Sequence, residues 1–154
     1  MAASDEIFLA LGGSLESAAG RIAGVLELEF VGDLGGTPGE SQYKAPARTF
    51  AGIVGVYVGI DRFPPEPGGT LAIDGYPVVV DVQSRQRKDA QAAEARLIFE
   101  ALVAGLPEIP ILLTNNVEFL VAAYLPGVGV HEFPADTTLD EDDAERWGPW
   151  VRKG

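Results

Sequence analysis

The chain has 154 residues, with 23 Asp and Glu against 11 Lys and Arg, one His and no Cys, giving a formal net charge of −12. Such a field repels nucleic-acid backbones and anionic membranes and attracts basic partners. Missing thiols and a single imidazole remove the side chains most often used as nucleophile, proton shuttle or transition-metal ligand.

This length suits one domain, spanning 1–154, and 47% hydrophobic against 22% charged residues is ordinary globular composition. Met1-Ala2-Ala3-Ser4-Asp5-Glu6 is acidic where a secretory leader needs positive charge, and the apolar run behind it stops at Gly12-Gly13. No stretch approaches the roughly 20 apolar residues of a membrane span. The expectation is a cytoplasmic protein, bacterial by the abundance of Gly, Ala, Val, Asp and Glu, with no nucleic-acid or membrane partner.

Ile7–Leu11 reads as a short apolar strand closed by Gly12-Gly13. Ser14 is a good N-cap for a following helix, with Glu16 in the first turn where the dipole favours negative charge. Leu15, Ala18, Ala19, Ile22, Val25 and Leu26 keep helical spacing and form one apolar stripe. Between Gly32 and Pro46 the composition turns to Gly, Pro and polar residues, which predicts a loop.

Thr49–Ile60 alternates cleanly with apolar or small residues on both faces, predicting a central strand covered on both sides. Pro64–Gly69 is a rigid turn, and Tyr76–Val82 is a second buried strand from which Asp81 emerges. The two are expected to pair antiparallel across the proline loop. Lys88–Ala104 is the strongest helix pattern, ended by Gly105 and Pro107. Ile109–Thr114 is a further strand. Asn115-Asn116 then either caps a helix bearing Val117, Leu120, Val121 and Tyr124 or turns a hairpin into Glu118–Leu125. Periodicity alone does not separate the two.

Residues 132–154 form an acidic C-terminal segment containing both tryptophans. The expected class is α+β: one domain, a mainly antiparallel sheet, and two or three helices packed on one face.

No motif names a reaction. Leu11-Gly12-Gly13-Ser14 lies where a strand turns into a helix, a place that can hold phosphate, but it lacks a P-loop's glycine spacing and lysine. A tight turn with an N-cap explains it better. His131-Glu132 has no second histidine to complete a zinc site, and Asp136–Glu145 lacks the glycine and closing Glu of a calcium loop. No metal or cofactor is therefore expected. Gly-x-Ser-x-Gly is absent, so a serine hydrolase is disfavoured. Asp74 and Asp81 are one possible acid–base pair, though sequence proximity of Asp residues says little in so acidic a chain.

Arg85, Arg87 and Lys88 make the only dense basic cluster, at a helix mouth where cations oppose the dipole. They are a candidate anion site, with an internal carboxylate partner as the plainer explanation. Asp136, Asp140, Glu141, Asp142, Asp143 and Glu145, followed by Trp147 and Trp150, combine charge with aromatic anchors as protein interfaces do. Docking of both rings onto the core is the plainer explanation there.

The functional expectation is a small acidic protein-binding domain without enzymatic activity, in the style of immunity proteins and antitoxins, that takes a basic protein partner. A carboxylate-based enzyme acting on a small anionic substrate is the alternative. A self-associating structural subunit, such as a homodimer through a sheet edge, is a third.

Overall fold

The computed structural model describes residues 4–61, 70–84 and 88–152, without the side chains of Lys88 and Asp89. In chain order the elements are β1 (Asp5–Leu9), α1 (Leu15–Leu26), β2 (Glu29–Asp33), β3 (Ser41–Pro46), β4 (Ile53–Ile60), β5 (Val78–Gln83), α2 (Lys88–Gly105), β6 (Ile111–Asn115), β7 (Phe119–Leu125), β8 (Gly129–Glu132) and α3 (Ala144–Trp147). All eight strands join one open sheet in the order β2-β3-β4-β5-β1-β6-β7-β8, and each adjacent pair is antiparallel. The architecture is α+β.

β1 stands near the middle because both of its faces are apolar: Ile7, Phe8 and Leu9 are fully buried. Ile7 and Leu9 face α1 and α2, where Ile22, Leu26, Phe99 and Leu102 close the main core over Val56, Val58, Val80 and Val82. Ser14 caps α1 as its type predicts, its Oγ accepting from the Ser17 amide at 3.1 Å. The helix ends at Leu26, where Glu27 enters the left-handed region at φ 54°.

Phe8 points to the opposite face. There Ala72, Ile73, Tyr76, Leu112, Leu120, Ala123, Phe133, Leu139, Trp147 and Val151 form a second core beneath β1, β6 and β7. The segment after β8 is tied down by backbone bonds from Leu120 N to Thr137 O at 2.8 Å and from Ala72 N to Leu139 O at 2.9 Å. Tyr76 Oη accepts from the Arg152 amide at 2.8 Å, and burial pushes its phenol up to about 12.

Several sequence expectations need correction. The span from Gly32 to Pro46 is no simple loop, since it completes β2 and contains β3. Tyr43 is the one large apolar side chain that β3 sends to the core, and β2 is an exposed edge strand, so neither shows a burial pattern. The turn itself is confined to residues 34–40. β4 starts at Ile53, and only its Val54, Val56 and Val58 face is buried, its other face being partly open. After Asn115-Asn116 the chain makes the hairpin, not the helix, with Asn116 and Val117 at φ 55° and 48°. β8, which adds the final strand, had no sequence signal. The expected packing of two helices on one face is met by α1 and α2, while α3 packs into the core of the other face.

Candidate functional site

Five strands place polar side chains in one lateral row on the second face of the sheet. Register pairs Thr114 with Glu6, Glu6 with Asp81, Asp81 with Tyr57 and Tyr57 with Gln42. Directly opposed side chains on antiparallel strands lie about 5 Å apart at Cβ, so the Glu6 and Asp81 carboxyls are immediate neighbours. Strand alternation brings them there: Ile7 and Val80, one residue along from each, belong to the main core.

The row ends in a cleft of about 400 Å³, within the usual range for small-ligand sites. Phe8, Tyr57, Gly59 and Val79 contribute to it from the sheet, with Leu34 and Glu40 from the 34–40 turn and Ser4 and Val117 on the other side. Gly59 leaves space for Glu40, because a Cβ there would stand 3.2 Å from the Glu40 carboxylate. Glu40 also accepts from the Thr37 amide at 2.7 Å, so the turn is shaped by the same carboxylate that lines the cleft.

The two central carboxyls differ in their surroundings. Glu6 is buried and well supplied with donors: its Oε1 accepts from Thr114 Oγ1 at 3.1 Å and from the Val117 amide at 2.9 Å. Asp81 receives only the Gln83 amide, on Oδ2 at 3.2 Å, and its buried Oδ1 has no hydrogen-bond partner. Burial is the main cause that pushes the Asp81 carboxyl up to about 6; the Gln83 bond opposes it, and the charges of Glu6 and Asp5 add to it. A carboxyl pair of this kind can receive a cation or can exchange a proton near neutrality.

The residues singled out in the sequence do not converge on this cleft, with one exception. Asp81 lines it. Asp74 instead holds its own turn, accepting from the Leu71 amide at 2.9 Å. Arg85 and Arg87 lie outside the described residues, and Lys88 opens α2. Trp147, only 5% exposed, is a core side chain whose Nε1 donates to Asp140 O at 3.0 Å. Trp150 is partly buried and stacks on His131, with ring centroids 3.9 Å apart. Among the acids, Asp143 accepts from Thr138 N at 2.7 Å and Thr138 Oγ1 at 2.9 Å, and these bonds hold its carboxyl below the ordinary range. Asp136, Asp140, Glu141, Asp142 and Glu145 are exposed, with Asp136 at φ 67°. Glu132 pairs with Arg96, donating no ligand to His131. Among the described residues, no group of three or more His, Asp or Glu side chains is placed to hold a metal ion.

Glu6, Glu40, Gln42 and Tyr57 carry no sequence motif. The available signal was a carboxylate interrupting an apolar strand, seen in Glu6 before Ile7-Phe8-Leu9 and in Asp81 after Val78-Val79-Val80. Their pairing depends on strand order, which those short runs do not encode.

Other cavities are less developed as chemistry. One of about 630 Å³ between α1 and the 34–40 turn is lined by small turn residues and by Glu16 and Asp33. One of about 540 Å³ between α2 and the β6–β7 hairpin is mainly apolar, with Arg96 at its edge already engaged by Glu132. No protein-family model matches the chain, and no curated protein or solved structure is significantly similar to it.

Proposed function

We propose that this protein is a non-enzymatic binding domain for a basic partner protein, of the immunity or antitoxin kind, acting in the bacterial cytoplasm. The carrying observation is the acid-lined cleft beside Glu6 and Asp81, on a sheet half that keeps Tyr57, Gln42 and Lys44 within reach of solvent. The net charge of −12 supports the same reading, since it steers cationic proteins towards the surface. The exposed acids Asp140, Glu141, Asp142 and Glu145 contribute to that long-range attraction. Trp147 is left out of the contact surface because it is spent in the core.

The test is affinity purification with the intact chain from its native host at low salt, followed by reconstitution with the purified partner. The expected result is a stoichiometric basic protein bound with a nanomolar Kd, whose association rate falls at least tenfold as salt is raised. Recovery of no such protein, or an association rate indifferent to salt, overturns the reading.

A second reading, a carboxylate-based enzyme, is favoured by one observation: Asp81 sits near the proton balance point beside Glu6. It requires turnover of a small substrate that Asp81→Asn abolishes without unfolding the chain.

A further inference from the structure

The cleft has features that restrict what it holds. It is an open cleft with Tyr57 and Val79 among its lining, not an acidic patch on a convex surface. At about 400 Å³ it is far larger than a bare ion needs. Glu6 already spends Oε1 on Thr114 and Val117, which leaves too few free oxygens for a cation that requires six or more of them. The group that a ligand would complete is the Asp81 carboxyl, which lines the cleft beside Glu6 and is underprovided with donors.

We infer that the cleft receives one basic side chain, arginine or lysine, whose cationic head is bound by Asp81 and Glu6 and whose methylene stem lies along Tyr57 and Val79. This inference rests on the binding-domain reading and specifies its point of contact. The chemistry fits on three counts. A guanidinium or ammonium brings N–H donors to the Asp81 carboxyl, which lines the cleft and is bonded only by the Gln83 side chain among the described residues. Its positive charge offsets the repulsion between neighbouring carboxylates. The alkyl stem of either side chain prefers an apolar wall, which Tyr57 and Val79 contribute to the cleft. A neutral side chain of equal length would fill the volume and leave both charges uncompensated.

The test uses the full chain, isotope-labelled, titrated with N-acetyl-arginine amide, N-acetyl-lysine amide and the neutral isostere N-acetyl-citrulline amide. Expected are millimolar binding of the two cations, displaced backbone resonances at Tyr57, Gly59 and Asp81, and no such displacement with citrulline. Asp81→Asn should weaken cation binding about tenfold or more. Glu6→Gln should do the same, and if its buried position prevents folding the Asp81 variant decides alone. Equal response to citrulline, or cation-induced displacements confined to the 136–145 acids, overturns the inference. A basic partner that binds Asp81→Asn and wild type alike also overturns it, while leaving the broader binding reading intact. Cation binding in the cleft with no basic partner recovered from the host has the opposite consequence.

Discussion

The two halves of the sheet's second face are made from the same kind of strands and end in opposite conditions. Under β1, β6 and β7 the chain folds back on itself, and Trp147, Phe133, Leu139 and Tyr76 seal the surface. Under β3, β4 and β5 the described residues include no such cover: Ile53 is 61% exposed, Lys44 and Gln83 are exposed, and the polar row runs out into the cleft. The covered half is closed by bonds such as Trp147 Nε1 on Asp140 O, although Asp74 Oδ1, in the turn that packs there, is buried without a hydrogen-bond partner. The open half likewise leaves Asp81 Oδ1 without a donor, but there the carboxyl lines an open cleft. One half of the face is therefore devoted to stability, and the other retains unspent interactions for a ligand.

Breaking the covered half should have the largest effect. Trp147→Ala is expected to cost about 3–5 kcal/mol in denaturant unfolding, whereas Tyr57→Ala on the open half should cost about 1 kcal/mol. Similar losses at both positions would erase the distinction.

The open half is anchored from behind, through the turn that joins β3 to β4. Glu94, 1% exposed on α2, accepts from Arg48 N at 2.8 and 3.0 Å and from Thr49 N at 2.6 Å. Glu94→Ala would remove the charged acceptor of the Arg48 and Thr49 amides, at about 2 kcal/mol, and should loosen β3 and β4 first when followed by amide exchange.

Asp81→Asn should act in the other direction. The folded carboxyl titrates near 6, above the ordinary aspartate value of 3.8, so its ionised form opposes folding. That opposition is complete above pH 6, fades as pH falls from 6 towards 3.8, and is gone below 3.8, where the group is protonated in both states. Discounted for the side chain's partial exposure, the asparagine variant should gain about 1 kcal/mol at pH 7 and nothing at about pH 3. A gain independent of pH would mean that charge is not the cause.

Neutralising Glu141, Asp142 and Glu145 together should have the smallest effect, within about 0.5 kcal/mol of wild type by thermal unfolding. If the same variant slows association with a basic protein, the acids act through the long-range field alone.

Much of the architecture was legible where periodicity was strong. The α1 stripe, the 88–105 helix and the alternating valines of β4 and β5 each bury one large apolar face, and such faces leave a pattern in sequence. β2 and β8 are edge strands with mostly exposed residues, so they impose no pattern and gave no signal. The candidate site was legible only in Asp81. Glu6, Tyr57 and Asp81 come from three separate strands, and their meeting depends on β1 being inserted between β5 and β6, a choice made by long-range packing. Trp147 drew attention for its setting among acids, yet size and apolarity decided its place.

The insertion of β1 also bears on how the molecule is made. Its partners are Val78–Val82 on one side and Ile111–Asn115 on the other, so β1, once synthesised, waits for about a hundred further residues before both flanks are matched. Closing loops of that span is slow compared with forming local helices. Until synthesis passes residue 115 the nascent chain displays Ile7-Phe8-Leu9 unshielded, a sticky stretch that a ribosome-associated chaperone would have reason to hold.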